Sequence, residues 1–205
     1  CDEAFQIGAT GMDMVFIEGG LFEMGSPITE NGRQNIEDQH YVYLSNDINV
    51  MTTEVTQLLF QTVMGYNPSF FGPTPVDTQN GGLYECGDDC PVEYVTWHEA
   101  AYFANIVTAY VNVTQGLSLN ACYSCTGSNA SSLCSIPSDI YSCTGFRLPT
   151  EAEWEYLARA ESPSSFWTPT GGGDIPLGSD PTGANLTQAC SYPVLLSDNS
   201  TYLSH

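Results

Sequence analysis

Apolar and polar positions change period along the chain, and the changes mark the elements. Met14 to Ser26, MVFIEGGLFEMGS, predicts a strand, a turn at Gly19-Gly20 and a second strand. His40 to Leu44 alternates and predicts another strand. From Thr53 the spacing becomes helical and runs to Met64. Leu58, Leu59, Thr62 and Val63 are the expected buried side, Thr53 the cap and Gly65 the stop. Residues 65–90 are rich in Pro, Gly and Asn and predict a loop. A second helix is expected from Thr96, where Thr96-Trp97-His98-Glu99 forms a capping box. Trp97, Ala100, Ala101, Ala104 and Val107 recur at helical spacing.

Residues 112–144 are polar and cysteine-rich and read as a stapled insertion. A third helix follows Pro149. Thr150 to Glu153 repeats the capping box, and Trp154, Leu157 and Ala158 are its expected buried stripe. Residues 161–205 are loop by composition.

Charge narrows the function classes. The chain has 205 residues, a net charge of −21 and three cationic residues, all arginine. Such a chain repels phosphate backbones and anionic lipid surfaces, which argues against nucleic-acid partners. Two of the three arginines lie in residues 145–160. Arg159 pairs with Glu155 at i,i+4 near a helix C-terminus. Arg147 has no such local partner. Its planar five-donor group suits loop carbonyls or a buried carboxylate, and a solvent-facing strand arginine is the other reading.

Eight cysteines, an even number in a lysine-free chain, point to an oxidising compartment. Sequons at Asn112, Asn129, Asn185 and Asn199 are glycosylation candidates. No run is long and apolar enough for a transmembrane helix. Cys1 suits either a lipid anchor or a numbering choice, and both readings stay open. Cys86-Gly-Asp-Asp-Cys90 is either a metal loop or a disulfide ring, with the ring favoured. The set Cys122, Cys125, Cys134 and Cys143 departs from zinc-ribbon spacing. Nested disulfides, Cys122–Cys143 outside Cys125–Cys134, are favoured, although spacing does not fix connectivity. Cys1 and Cys190 are left unassigned. His40 and His98 are isolated and weak candidates as ligand or base. Asp174 and Asp180, in a Gly-rich loop, are calcium candidates.

The segment GFRLPTEAEWEYLARA, with FIEGGLFEMGS, TTEVTQLLFQTVMGYNPSFF and CPVEYVTWHEAAYFAN in order before it, resembles the formylglycine-generating enzyme (sulfatase-modifying factor) family over roughly residues 14–180. The resemblance implies an irregular, loop-rich α+β domain of C-type-lectin-like kind, with two main helices and a small twisted antiparallel sheet. Trp97, Arg147, Thr150, Glu153, Trp154 and Arg159 would be its structural signature. The family includes a copper-dependent oxidase of a sulfatase cysteine. Its thiol pair and calcium ligands follow a region that nothing in residues 181–205 matches, so no catalytic residue carries over.

The expected organisation is an N-terminal extension, 1–13, followed by a domain over 14–205 that is incomplete at its C-terminus. The expected function is a non-catalytic extracellular or cell-surface domain, structural or binding. The alternative is a fragment of the copper-dependent oxidase. Calcium is the one cofactor entertained otherwise. Self-association is expected, by a neighbour's N-terminal strand extending into a filament, or else a bound complementary chain.

Overall fold

The computed structural model describes residues 5–7, 12–29, 33–72, 76–77, 83–84 and 86–159. The chain is α+β. Its strands are β1 (Phe5–Ile7), β2 (Met12–Ile17), β3 (Leu21–Met24), β4 (His40–Tyr43), β5 (Ile48–Met51), β6 (Val76–Asp77), β7 (Leu83–Tyr84), β8 (Ser124–Thr126) and β9 (Leu133–Ser135). Its helices are α1 (Gln57–Met64), α2 (Trp97–Gln115) and α3 (Glu151–Arg159). β1, β2 and β5 form a three-stranded sheet, and β3–β4, β6–β7 and β8–β9 are two-stranded.

The two strands flanking Gly19-Gly20 do not pair with each other. β2 pairs with β1, in antiparallel register Phe5↔Met14, while β3 pairs with β4 as Leu21↔Tyr43. β1 lies in the segment expected to serve a neighbour, and it pairs with its own chain.

The described residues divide into two units. The first takes those up to Val15 and Val50–Leu148; the second takes Phe16–Asn49 and those from Pro149. In the first unit α1 and α2 share a core of Met12, Leu59, Phe60, Met64, Phe103, Val107 and Val111. Phe60 and Phe103 stack at 5.2 Å. Each large side chain buried there contributes about 1.5–3 kcal/mol.

The other face of α2 carries Ala100, Ala101 and Ala104, which pack with Cys122, Tyr123, Cys134 and Leu148. Small residues let the β8–β9 hairpin lie close to the helix. The Thr96–Glu99 capping box forms as expected. α2 extends to Gln115, so the cysteine-rich stretch begins after Gly116, in αL conformation, rather than at 112.

α1 starts later than the periodicity suggests. Its cap is Thr56, whose Oγ1 accepts from Leu59 N at 3.2 Å. Thr53 instead bonds Glu54 O. The preceding residues are held extended, because Val92 N donates to Val55 O and Thr56 bridges Pro91. The late start changes the buried side. Gln57, Leu59, Phe60 and Met64 are inside, while Leu58 and Thr62 are exposed.

Loops are tied to helices by side chains. Asn105 accepts from Cys122 N and Tyr123 N and donates to Tyr123 O. Thr108 accepts from Phe146 N at 2.9 Å while donating to Ala104 O. Asn112 clasps both backbone groups of Leu119.

In the second unit the capping box of α3 is present, and Glu153 is buried within it. Burial of Glu153 turns the expected stripe. Trp154, one position round, is 39% exposed, and Leu157 and Ala158 are half-buried. Phe22 of β3 packs edge-on to Tyr156 at 5.2 Å.

Glu155 and Arg159 form the expected ion pair at 2.7 Å. Both are partly buried, and together they grip the backbone of one residue. Gly25 N donates to Glu155 Oε1, and Arg159 Nη2 donates to Gly25 O, each at 2.7 Å. Gly25 sits at φ 95°, and a Cβ there would lie 2.7 Å from Asp38 O. That pair therefore does more than an exposed i,i+4 contact would.

Two outcomes follow. Thr108→Val keeps the volume but strands the part-buried Phe146 N–H, and should cost about 1–3 kcal/mol in urea unfolding. Arg159→Lys keeps the charge but loses the planar fork, and should cost about 1–3 kcal/mol. An unchanged midpoint in either variant contradicts the tie.

Candidate binding surface

Two loops of the first unit meet over the N-terminus of α1: residues 65–72 and 86–95. Gln57, 1% exposed, is their anchor. Its Nε2 donates to Phe71 O and Pro91 O, and its Oε1 accepts from Asn67 Nδ2. Asn67 Oδ1 caps Ser69 N, a local turn that asparagine favours. Glu93 Oε1 accepts from Phe71 N at 2.7 Å, and Glu93 N donates to Ser69 Oγ.

The Cys86–Cys90 disulfide closes a small ring. From that ring the carbonyls of Cys90 and Asp88 accept from Gln57 N and Leu58 N, so they satisfy orphan donors of α1. Cys86 N donates to Gly72 O, which joins the ring to the aromatic loop.

This polar mount carries an aromatic surface. Phe70 is 51% exposed and Tyr94 67% exposed. Phe70 contacts Phe71 edge-on at 5.1 Å and lies nearly parallel to Tyr94 at 6.0 Å. Tyr94 has φ 63°, a left-handed conformation that costs a bulky residue about 1–3 kcal/mol. Beside it Glu93 Oε2 is buried with no hydrogen-bond partner among the described residues.

Beneath the mount, Tyr66 OH donates to Glu99 Oε1 at 2.7 Å. Burial, with the hydrogen bond and charge of Glu99, pushes the Tyr66 phenol well above its usual range. Burial also raises the Glu54 carboxyl, against a hydrogen bond from its own backbone.

Of the candidates from the sequence, Cys86 and Cys90 lie in this mount, and the other described ones fall elsewhere. Disulfides join Cys86–Cys90, Cys122–Cys143 and Cys125–Cys134. His98 Nδ1 accepts from Cys134 N, and His40 Nδ1 lies 2.8 Å from Asp38 O, so each histidine serves local backbone. Trp97 packs edge-on against Tyr123 at 5.6 Å. Arg147 donates to Leu148 O, and its guanidinium lies 5.3 Å from the centre of the Tyr141 ring.

Asn112 is held by Leu119 at the amide a glycan would occupy. Asn129 is exposed at φ 51° in the β8–β9 turn. Cys1, Asp174, Asp180, Asn185, Cys190 and Asn199 lie outside the described residues.

Among the described residues no three His, Cys, Asp or Glu side chains converge as metal ligands. All six described cysteines are closed as disulfides, so none of them fits a thiolate pair for copper. Nor is any described helix long and apolar enough to cross a membrane. The aromatic surface escaped the sequence reading. Its one signal was Phe70-Phe71 standing in a turn-forming Asn-Pro-Ser loop.

A loop-rich α+β domain stapled by disulfides, with capped helices presenting buried ties, defines a class. The sequence profile of the sulfatase-modifying factor enzyme 1-like domain matches residues 3–203, and the chain belongs to that family. Chaperone protein LppX of Paenibacillus barcinonensis is 30% identical over 162 residues, which are 78% of this chain and 49% of that protein. The chain thus spans about half the length of this curated relative.

Treponema denticola variable protein 1 superposes with a TM-score of 0.58 at 28% identity, over 84% of this chain and 60% of that one. PvdO from Pseudomonas aeruginosa superposes with a TM-score of 0.52 at 22% identity, over 86% and 56%. The PvdO likeness is one of fold alone.

Gln57→Ala removes three hydrogen bonds and leaves a cavity, and should cost about 2–5 kcal/mol, with faster proteolysis within 65–95. Glu54→Gln tests the raised carboxyl. A folded-state value above the unfolded one favours folding at low pH, and that contribution is lost as pH rises through the folded value. The variant should therefore melt higher than wild type at neutral pH and level with it in acid below the usual carboxylate range.

Proposed function

We propose that this chain is a non-catalytic, extracellular or cell-surface binding domain built on the sulfatase-modifying factor fold. One observation carries the reading: an exposed aromatic surface, with a strained tyrosine in it, sits on a mount of buried hydrogen bonds. Strain of that kind persists only where the surroundings over-determine it, and such positions cluster at functional sites. Rigid aromatic groups are the side chains that anchor partners most strongly.

Three disulfides favour an oxidising compartment, outside the cell or at its surface. The name of the LppX relative, a chaperone protein, supports contact with another polypeptide.

Family membership favours a second reading, the copper-dependent oxidase. Incubation of the chain with copper(I), oxygen and a cysteine-containing sulfatase peptide separates the two. The binding reading expects the peptide mass to stay unchanged. Conversion of its cysteine to formylglycine would establish the oxidase instead.

A further inference from the structure

The chemistry of the aromatic surface selects among partners. Phe70, Phe71 and Tyr94 present π-faces, which carry negative quadrupoles. The charged groups around them are carboxylates. Glu93 lies against Phe71, and Asp88 and Asp89 are exposed on the ring joined to Gly72. Glu93 Oε1 is engaged by Phe71 N and its Oε2 is buried, so the acceptors open to a ligand are those of Asp88 and Asp89, which bring no donors. The one Lys or Arg among the described residues of this unit, Arg147, is engaged with Tyr141 and Leu148. A ligand here must bring the donors and the positive charge. Phosphates and acidic peptides are repelled, and by a chain whose net charge is −21.

Resting on the binding-domain reading, we infer that Phe70, Phe71 and Tyr94, with Asp88 and Asp89, form a docking surface for an arginine- or lysine-bearing segment of a partner protein. The cation lies over the Phe70 and Tyr94 rings, whose centres are 6.0 Å apart, and its N–H groups turn to the Asp88 and Asp89 carboxylates. Guanidinium suits the surface better than ammonium, because it stacks on rings and is more weakly hydrated. The left-handed Tyr94 backbone has a role in this arrangement: it keeps that ring beside Phe70.

The test uses the full 205-residue chain and a fluorescent hexa-arginine peptide at physiological ionic strength. Long-range attraction to the chain is screened there beyond about 8 Å, so contact geometry decides the affinity. Phe70→Ala and Tyr94→Gly leave the charge unchanged, and each should weaken binding by about tenfold. Tyr94→Gly should also raise the melting temperature, because glycine accepts a positive φ without strain. Tyr110→Ala, exposed on α2, should bind like wild type.

Equal binding by wild type and Phe70→Ala would show unspecific charge attraction and overturn the inference, as would no binding by wild type. A neutral probe, maltohexaose, separates the layers of the argument. Phe70-dependent binding of maltohexaose without the peptide overturns the cationic partner and keeps the binding role. Independence of Phe70 in every arm removes both.

Discussion

A buried peptide group without a partner costs about 1–3 kcal/mol, and this chain folds long irregular segments against its helices. The helices answer with side chains. Gln57 of α1 holds two carbonyls, Asn105 of α2 holds three backbone groups, Thr108 holds one and Asn112 two. Tyr123 OH takes Leu148 N in the same manner. In the second unit Glu155 and Arg159 hold both groups of Gly25. Apart from Tyr123, which precedes β8, each tie depends on a polar side chain placed on the buried or half-buried side of a helix. Apolar packing brings the elements together without specifying where a loop runs, and these bonds specify it.

The scarce cations follow the same rule. Arg33 bonds Ser26 O and pairs with Asp38, Arg147 bonds Leu148 O, and Arg159 bonds Gly25 O. A planar, permanently charged fork suits carbonyls that curve around a loop. Disulfides add a constraint of another kind, by restricting the unfolded chain. The Cys122–Cys143 loop, with 21 residues of separation, should contribute about 3 kcal/mol, and the Cys86–Cys90 ring, with a separation of 4, about 2 kcal/mol. The small ring matters instead for the carbonyls it offers to α1.

Much of this was legible in the sequence. The capping boxes at Thr96 and Thr150 appear as read, because they are local and carry their own chemistry. The family segments and the cysteine content gave the α+β class and its staples. Long-range effects were hidden. Thr56 rather than Thr53 caps α1 because residues 55–56 pair with 91–92, far along the chain. Gln57 and Glu153 are buried because loops and caps need them, where a hydrophobic pattern assigns polar residues to the outside. The aromatic surface was unreadable for the same reason. Phe70 and Tyr94 are 24 positions apart, and bonds of Gln57, Glu93 and Cys86 bring their loops together.

Amide hydrogen exchange of the native chain tests the central claim most directly. The diagnostic amides are Gly25, Leu119, Tyr123, Phe146 and Leu148, all outside helices and strands and all donating to side chains. If side-chain ties define these loops, the amides of Leu119, Tyr123, Phe146 and Leu148 should exchange as slowly as those in the middle of α2, and that of Gly25 as slowly as those of α3. Exchange at the rate of an unstructured peptide, while the helices stay protected, would contradict the account.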